Sequence, residues 1–271
     1  MSVFYEVPPP SVPEFWTTVP KVTFAIGGWL WVLSYFLLAY ETFRSKSYGM
    51  PIFAMANNFA WEIVYGCYFQ DLWSKQIVGI IWAIVDTIIV YGTIKYGRNE
   101  WKHTPVVEKH LGKIVILFIA WCLWGHFAFM NWYFDYNIAH KQGKFYLGVE
   151  GPDPTELKFW AGEIAQMTLS ATSLMQLIMR QHTGGVTWAI CLERATRFIG
   201  SSFQPHGHLT LAWYYWPEAH GYYMSPPGVF MWVTSVVCDV VYPFVFYRIR
   251  QTERQLPDGR RVPGNTVLKD D

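Results

Sequence analysis

One carboxylate lies in the middle of a long apolar stretch of this chain. Glu62 has Asn58 four residues before it and Tyr65 three residues after it, so the three share one face of a helix. An ionisable group in a bilayer core costs roughly 2.5–3.5 kcal/mol on insertion scales. Where water is excluded, the neutral carboxylic acid is favoured over the charged form. Glu62 is therefore a candidate proton donor whose flanking amide and phenol fix its rotamer.

A second carboxylate repeats this pattern near the C-terminus. Asp239 has Ser235 four residues before it and Tyr242 three residues after it. No Lys or Arg stands within four residues of either acid, which favours a functional over a structural role. The chain has no Cys-x-x-Cys or His-x-x-x-His spacing, so we predict neither a metal site nor a cofactor.

The composition indicates a membrane protein with several spans. Hydrophobic residues make up 52% of the chain and charged residues only 15%, whereas about a quarter of the residues in a soluble domain are charged. The formal net charge of +1 argues against a nucleic-acid partner. The four cysteines all lie in apolar stretches, which predicts buried thiols rather than disulfides.

Seven segments are candidates to cross a bilayer, which takes about 20 mainly apolar residues. They are 22–43, 51–70, 76–96, 113–134, 158–180, 186–203 and 226–248. Lys and Arg are in excess on the side of the membrane where the C-terminus is predicted to lie. This excess predicts a lumenal N-terminus and a cytosolic C-terminus. We therefore predict an all-α bundle of seven transmembrane helices over residues 1–250, followed by a polar, flexible cytosolic tail over 251–271.

Several ionisable residues fall at a common depth in these spans. Counted from the predicted cytosolic ends, Glu62, Asp86 and Asp239 lie roughly 14–17 Å deep, and three charged residues of the sixth segment lie roughly 10–17 Å deep. The common level predicts one shared cavity. Two interpretations of Asp86 remain open, as the partner of an arginine in the sixth segment or as a member of the site. For Glu193 and Arg197, four residues apart, a structural ion pair is the simpler interpretation.

Further polar and aromatic side chains fall within the spans. The fifth segment carries a polar stripe that must face inward, because lipid cannot satisfy it; its members are Glu163, Gln166, Ser170 and Ser173. Helix packing is the simpler explanation of that stripe. Mid-span rings such as Trp61, Trp124 and Tyr242 can stabilise cations, by about 2 kcal/mol when desolvated.

Two short motifs resemble a known family. The stretch Asn58-Phe-Ala-Trp-Glu-Ile-Val-Tyr65 resembles the Asn-x-x-Trp-Glu region of the fungal membrane-bound terpene cyclases of meroterpenoid and indole-diterpene pathways, the paxilline- and pyripyropene-type cyclases. Cys238-Asp-Val-Val-Tyr-Pro243 resembles that family's second acidic position. Chain length, seven predicted spans and the placement of both acids agree, so the resemblance covers nearly the whole chain. The tail beyond Arg250 is longer than in smaller members.

The resemblance implies an enzyme that cyclises an epoxidised farnesyl or geranylgeranyl chain on a polyketide-derived or indole head group. Such a reaction is metal-free and acid-initiated, and neither Asp-Asp-x-x-Asp nor Asp-x-Asp-Asp is present in this sequence. The family implies Glu62 and Asp239 as the essential acids. Eight further residues are expected to bind the substrate or stabilise cations. They are Asn58, Trp61, Tyr65, Asp86, Trp124, Glu163, Arg197 and Tyr242. The expected partners are the epoxidised prenylated substrate, membrane lipid, and a prenyltransferase and an epoxidase in the same endoplasmic reticulum membrane.

Two other classes of function remain open from the residues alone. A proton-coupled transporter also places acids and arginines at mid-depth, although many transporters contain an inverted repeat and this sequence shows none. A receptor or structural membrane protein would use the carboxylates only in packing.

Overall fold

The computed structural model describes residues 4–13, 15, 18–70, 73–192 and 205–266. The helices are α1 (Thr18–Ser45), α2 (Ile52–Trp61), α3 (Trp73–Tyr96), α4 (Pro105–Asp135), α5 (Pro154–Arg180), α6 (described over 188–192), α7 (Pro205–Tyr215), α8 (Pro217–His220) and α9 (Pro226–Thr252). A π-helical segment, Glu62–Tyr68, continues α2, and 3₁₀ turns follow α3 at Gly97–Glu100 and α8 at Gly221–Met224. The strands are β1 (Phe4–Glu6), β2 (His140–Tyr146), β3 (Val149–Pro152), β4 (Glu253–Gln255) and β5 (Arg261–Pro263).

Helices occupy most of the described part of each predicted span. The sixth predicted span, 186–203, starts with α6 but lies outside the described residues from 193 onward. Three helices among the described residues are long and apolar enough to cross a membrane, namely Gln76–Glu100, Pro105–Asp135 and Pro226–Thr252. The count of seven spans and the orientation of the termini stay predictions. The all-α prediction is corrected by two small sheets, one at each end of the bundle.

Two glycines bring the π-helical segment into close contact with α3. A Cβ atom built on Gly79 would lie 2.1 Å from the carbonyl oxygen of Gly66. Small residues commonly permit such close approach between membrane helices. Helices α2 and α3 are antiparallel. Asn58 lies eight residues before Gly66, and Asp86 lies seven residues after Gly79, so Asn58 and Asp86 are at the same level. This contact therefore sets the register between the two helices that carry the polar residues.

Helices α5 and α9 pack along each other. Each has a side-chain cap at its start. The Oδ1 atom of Asp153 accepts hydrogen bonds from the backbone N–H groups of Thr155 and Glu156. The hydroxyl of Ser225 accepts from the N–H of Gly228, as the Ser-Pro-Pro sequence predicts. The two caps fix where these helices begin.

A three-stranded antiparallel sheet, in the order β1-β2-β3, lies where α4 ends and α5 begins. The Nζ atom of the fully buried Lys144 lies 2.6 Å from Oε1 of Glu6 and 3.7 Å from Oδ2 of Asp153. On the same strand, Lys141 pairs with both Asp153 and Glu156. These ion pairs connect the N-terminal strand to the start of α5.

At the opposite end of the bundle, β4 and β5 form an antiparallel hairpin. Arg261 on β5 is 6% exposed, and its Nη1 atom donates to two oxygens of Thr183 and to the carbonyl oxygen of Val186 at 2.8–3.3 Å. Glu253 accepts from the backbone N–H of Thr183 at 2.6 Å. The composition predicts a flexible tail, but residues 253–263 form a hairpin anchored by a buried arginine. Polar composition alone does not distinguish a buried arginine from a solvated one.

Candidate active site

Asn58 lies at the centre of a buried polar group formed by α1, α2 and α3. Its Nδ2 atom is 3.2 Å from Oε1 of Glu62 and 3.0 Å from Oδ2 of Asp86, and it also contacts the hydroxyl of Tyr35. None of these four side chains is more than 6% exposed. We call these four residues the Asn58 cluster. The depth count that placed Glu62 and Asp86 at one level agrees with this geometry.

The Asn58 cluster contains more oxygen acceptors than amide hydrogens. An asparagine amide carries two hydrogens, whereas three oxygens surround the Nδ2 atom of Asn58. The hydroxyl of Tyr35 is therefore a further donor within the cluster. The Oε2 atom of Glu62 and the Oδ1 atom of Asp86 are buried without a hydrogen-bond partner among the described residues. Two carboxyl groups placed around one amide can hold and release a proton.

Glu62 is the first residue of the π-helical segment Glu62–Tyr68. Its own backbone N–H still bonds back to the carbonyl oxygen of Asn58, so the turn that joins these two residues is α-helical. The wider turn starts after Glu62 and includes Gly66, the residue that contacts α3. Single π turns within helices are frequent at functional sites. This one lets Glu62 face Asn58 while Gly66 faces α3.

Tyr65 and Trp61 lie beside the cluster rather than in it. The Tyr65 hydroxyl donates to the backbone carbonyl oxygen of His126 at 3.3 Å, and the Trp61 ring centroid is 5.8 Å from that of Tyr65. The prediction that Tyr65 fixes the rotamer of Glu62 is wrong, because the wider π turn removes the helical spacing on which it depends. The buried Nε1 atom of Trp61 has no acceptor among the described residues.

Asp239 lies in a second buried group, between α9 and α5. Its Oδ2 atom accepts hydrogen bonds from the hydroxyl of Ser170 at 2.9 Å and from the amide of Gln166 at 3.4 Å. Ser235 donates instead to the carbonyl oxygen of Met231 in its own helix, at 3.0 Å. The prediction that Ser235 fixes the rotamer of Asp239 is therefore wrong. Serine hydroxyls within helices often bond to the preceding turn in this way.

Tyr242 and Glu163 lie on the same two helices. Tyr242 is 2% exposed, and its ring stacks on that of Phe246 with centroids 6.2 Å apart. Glu163 is 4% exposed, and Ser170 and Ser173 of the same stripe are also buried. The prediction that the polar stripe of α5 faces the interior is confirmed.

Two predicted site residues have a different outcome. Trp124 is 62% exposed on the outer face of α4, where its ring centroid lies 5.1 Å from that of the equally exposed Trp121. Trp124, which the resemblance assigns to substrate binding or cation stabilisation, therefore lies apart from both buried polar groups. A helix that is apolar all round gives no sequence signal for its inner face. Arg197 lies outside the described residues, as do Glu193 and Arg194.

Tyr35 belongs to the Asn58 cluster but is not among the residues predicted from the sequence. It lies near the middle of the first predicted span, 22–43, and is 2% exposed. A phenol at that depth needs a hydrogen-bond partner. This need is the one feature of the sequence that indicates a polar neighbour for Tyr35. Its partners on other helices could not be deduced from α1 alone.

The described part of the chain brings together no group of three or more His, Cys, Asp or Glu side chains that could hold a metal ion. The polar groups found there combine carboxyls with amides and hydroxyls. Carboxyl, amide and hydroxyl groups can form hydrogen bonds, and the carboxyl groups can also transfer protons.

Residues 5–252 match the family model of the Pyr4-like transmembrane terpene cyclases. The chain belongs to this family. The matched range includes both the Asn58 cluster and Asp239, and it ends just before β4. The resemblance in the two short motifs is thereby confirmed, and the protein is a membrane protein of a terpene cyclase family.

Named members of this family are similar to the chain over most of their length. Terpene cyclase ascF of Acremonium egyptiacum is 42% identical over 255 residues, which cover 94% of this chain and 90% of that protein. The Pyr4-family terpene cyclase mfmH of Annulohypoxylon moriforme is 31% identical over 245 residues, 90% of this chain and 91% of that protein. Terpene cyclase macJ of Penicillium terrestre is 30% identical over 241 residues, 88% of this chain and 85% of that protein.

Proposed function

We propose that this terpene cyclase protonates the epoxide of a prenylated small molecule and so starts a metal-free cyclisation. The observation that carries the proposal is the pair of buried carboxyls, Glu62 and Asp86, held on the single amide of Asn58. Two carboxylates forced together repel each other, which favours one proton between them. A proton held in this way is available to a basic oxygen that enters the site.

The proposed reaction conserves every atom of the substrate. The carboxylic acid of Glu62 gives its proton to the epoxide oxygen, and the epoxide C–O bond at the more substituted carbon breaks. A neighbouring alkene supplies its electron pair to that carbon, which forms a C–C bond and passes the positive charge along the chain. The Asp239 carboxylate or a water molecule takes a proton from the last cation, which ends the cascade, and the return of that proton restores the acid of Glu62. The product is therefore an isomer that carries a new hydroxyl group.

Other buried groups support this reaction. Asp239, held by Ser170 and Gln166, is the proposed second acid. The rings of Trp61 and Tyr242 are candidates to stabilise passing cations, since the face of an aromatic ring attracts positive charge. Tyr65, Glu163 and Arg197 stay candidates for substrate binding.

We place the enzyme in the endoplasmic reticulum as a seven-span protein with a lumenal N-terminus and a cytosolic C-terminus. Its substrate is amphiphilic, because a long prenyl chain carries a polar head group. A prenyltransferase that makes this chain and an epoxidase that oxidises it are the partners expected in the same membrane. Farnesyl and geranylgeranyl chains both fit the proposal.

The test uses microsomes that carry the full-length protein and a phenol bearing an epoxidised farnesyl chain. Formation of an isomer with unchanged mass and altered retention, in the presence of EDTA, is the expected result. Glu62→Gln should abolish isomer formation, whereas Glu218→Gln, which changes an exposed carboxylate, should not. Normal conversion by Glu62→Gln at equal expression would contradict the assignment of the proton donor.

A further inference from the structure

We propose that Gln70 is a positioning residue that keeps the turn after Glu62 in its wide, π-helical form and so sets the direction of the Glu62 carboxyl. The inference rests on the proposed function, because it concerns how the proposed proton donor is held. Gln70 follows the π-helical segment Glu62–Tyr68 by two residues. Its influence on Glu62 passes through the backbone of that segment.

The last hydrogen bond of the segment joins Phe69 to Val64. The backbone N–H of Phe69 donates to the carbonyl oxygen of Val64, five residues earlier, at 2.7 Å. In a regular α-helix this N–H would donate to the carbonyl oxygen of Tyr65, four residues earlier. Which of these two neighbouring oxygens accepts the bond therefore decides between a wide turn and a regular one.

Gln70 occupies the oxygen that a regular helix would use. Its Nε2 atom donates to the carbonyl oxygen of Tyr65 at 2.6 Å. The wide turn leaves that carbonyl without the N–H of Phe69, and a buried carbonyl needs a donor. In the regular form, the N–H of Phe69 and the amide of Gln70 would have to share one oxygen. The Gln70 amide therefore stabilises the wide form relative to the regular one.

Lys158, near the start of α5, holds the Gln70 amide in this orientation. Its Nζ atom lies 3.4 Å from Oε1 of Gln70 and 5.5 Å from the centroid of the Phe69 ring. An ammonium group can only donate, so it selects the oxygen of the amide. The NH₂ group of Gln70 is thereby directed to the carbonyl oxygen of Tyr65.

A second glutamine makes the same kind of bond without this competition. The Nε2 atom of Gln76, on α3, donates to the carbonyl oxygen of Cys67 at 2.9 Å. Cys67 is only two residues before Phe69, so its carbonyl cannot accept the N–H of Phe69 in either helical form. Gln76 therefore caps the segment without deciding its form, and it provides a matched control for Gln70.

A change in the width of this turn would displace Glu62. Gly66, within the segment, is packed against Gly79 of α3. With Gly66 fixed there, Glu62, as the first residue of the segment, takes up the change. The displacement would alter the hydrogen bonds that join Glu62 and Asp86 through Asn58. Delivery of the proton should therefore suffer more than binding of the substrate.

The kinetic test compares Gln70→Leu with Gln76→Leu in microsomes that carry the full-length protein, with the phenol bearing an epoxidised farnesyl chain as substrate. Gln70→Leu should lower kcat about three- to tenfold, the value of one hydrogen bond, and change KM less than about twofold. Gln70→Glu keeps an acceptor for Lys158 but cannot donate when ionised, so it should lower kcat to a similar extent.

Gln76→Leu should change kcat less than about twofold, because its bond does not compete for the N–H of Phe69. Equal losses of kcat in Gln70→Leu and Gln76→Leu would overturn the proposal, since both glutamines would then act only as caps. A loss that appears in KM rather than in kcat would overturn it as well.

An infrared measurement reports on Glu62 without turnover. The C=O band of its protonated carboxyl is the band that Glu62→Gln removes from the spectrum of the purified protein in nanodiscs. Gln70→Leu should shift this band, because the hydrogen bonds of the Asn58 cluster change, whereas Gln76→Leu should not. An unshifted band in Gln70→Leu would contradict the positioning role even where the wild-type protein cyclises the substrate. Absence of isomer formation by the wild-type protein would instead contradict the proposed function, and the band would still decide the role of Gln70.

Discussion

Gly79 approaches Gly66 so closely that an added Cβ atom would lie 2.1 Å from the Gly66 carbonyl oxygen. That atom is backbone and cannot rotate away, so Gly79→Ala should push α3 from the π-helical segment. Overpacking of this kind costs about 1–3 kcal/mol. We expect a lower melting temperature in detergent and at least about a tenfold loss of cyclase activity, because the distance between Glu62 and Asp86 changes.

The control for this prediction is Gly125→Ala on α4. A Cβ atom there meets nothing within 4 Å, so both stability and activity should be retained. Equal activity of Gly79→Ala and Gly125→Ala would show that the spacing of α2 and α3 is not important for the reaction.

Ser170→Ala removes the 2.9 Å hydrogen bond to Asp239. A single hydrogen bond to a charged or acidic group contributes about 1.5–3 kcal/mol, so we expect kcat to fall by roughly tenfold or more with little change in KM. Ser235→Ala is the matched comparison, since its hydroxyl bonds to Met231 one turn earlier in the same helix. Steady-state kinetics in microsomes, corrected for expression, should separate the two. A larger effect of Ser235→Ala would contradict the described geometry.

Tyr35→Phe removes the hydroxyl that contacts Asn58 while keeping the buried ring. The Asn58 cluster then loses a donor, and we expect about a tenfold loss of kcat. Tyr65→Phe deletes only a 3.3 Å bond to a backbone carbonyl and should have the smaller effect. If the order of the two variants is reversed, Tyr65 is the phenol that acts on the substrate.

Arg261→Ala should destabilise the protein. Its guanidinium is buried and bonds to Thr183 and Val186, and removing one partner of a buried charged network costs about 3–5 kcal/mol. The neighbouring Arg260 is paired only with Asp258 at the surface among the described residues, so Arg260→Ala should be nearly neutral. Thermal unfolding in detergent measures both. Equal melting temperatures would mean that the hairpin does not hold the loop after α5.

Much of the architecture follows from the sequence, for an identifiable reason. Long apolar stretches have one stable backbone arrangement in a membrane, the helix, so helices occupy most of each predicted span that the structure describes. Helices α7 and α8 lie between the sixth and seventh predicted spans and were not predicted. The depth count also placed Glu62 and Asp86 correctly together, because rise per residue is constant in a helix. The Asn58–Glu62 spacing was informative because that turn is α-helical.

Contacts between helices could not be deduced in the same way. Ser170 as the partner of Asp239, and Tyr35 as the partner of Asn58, depend on how helices rotate about their own axes. Trp124 shows the same limit, since a helix apolar on every side does not reveal which face meets lipid. The hairpin at Arg261 was missed because a short polar stretch carries little hydrophobic signal.

The π-helical segment fixes an angle as well as a position. Each residue of an α-helix turns the chain by about 100°, so the extra residue in Glu62–Tyr68 determines how Glu62 is rotated relative to Gly66. Deleting one residue between Glu62 and Gly66 would restore a regular helix and turn Asn58 and Glu62 away from Asp86, although every side chain of the cluster would still be present. The length of this segment, counted in single residues, is therefore as much a part of the site as the identity of its acid.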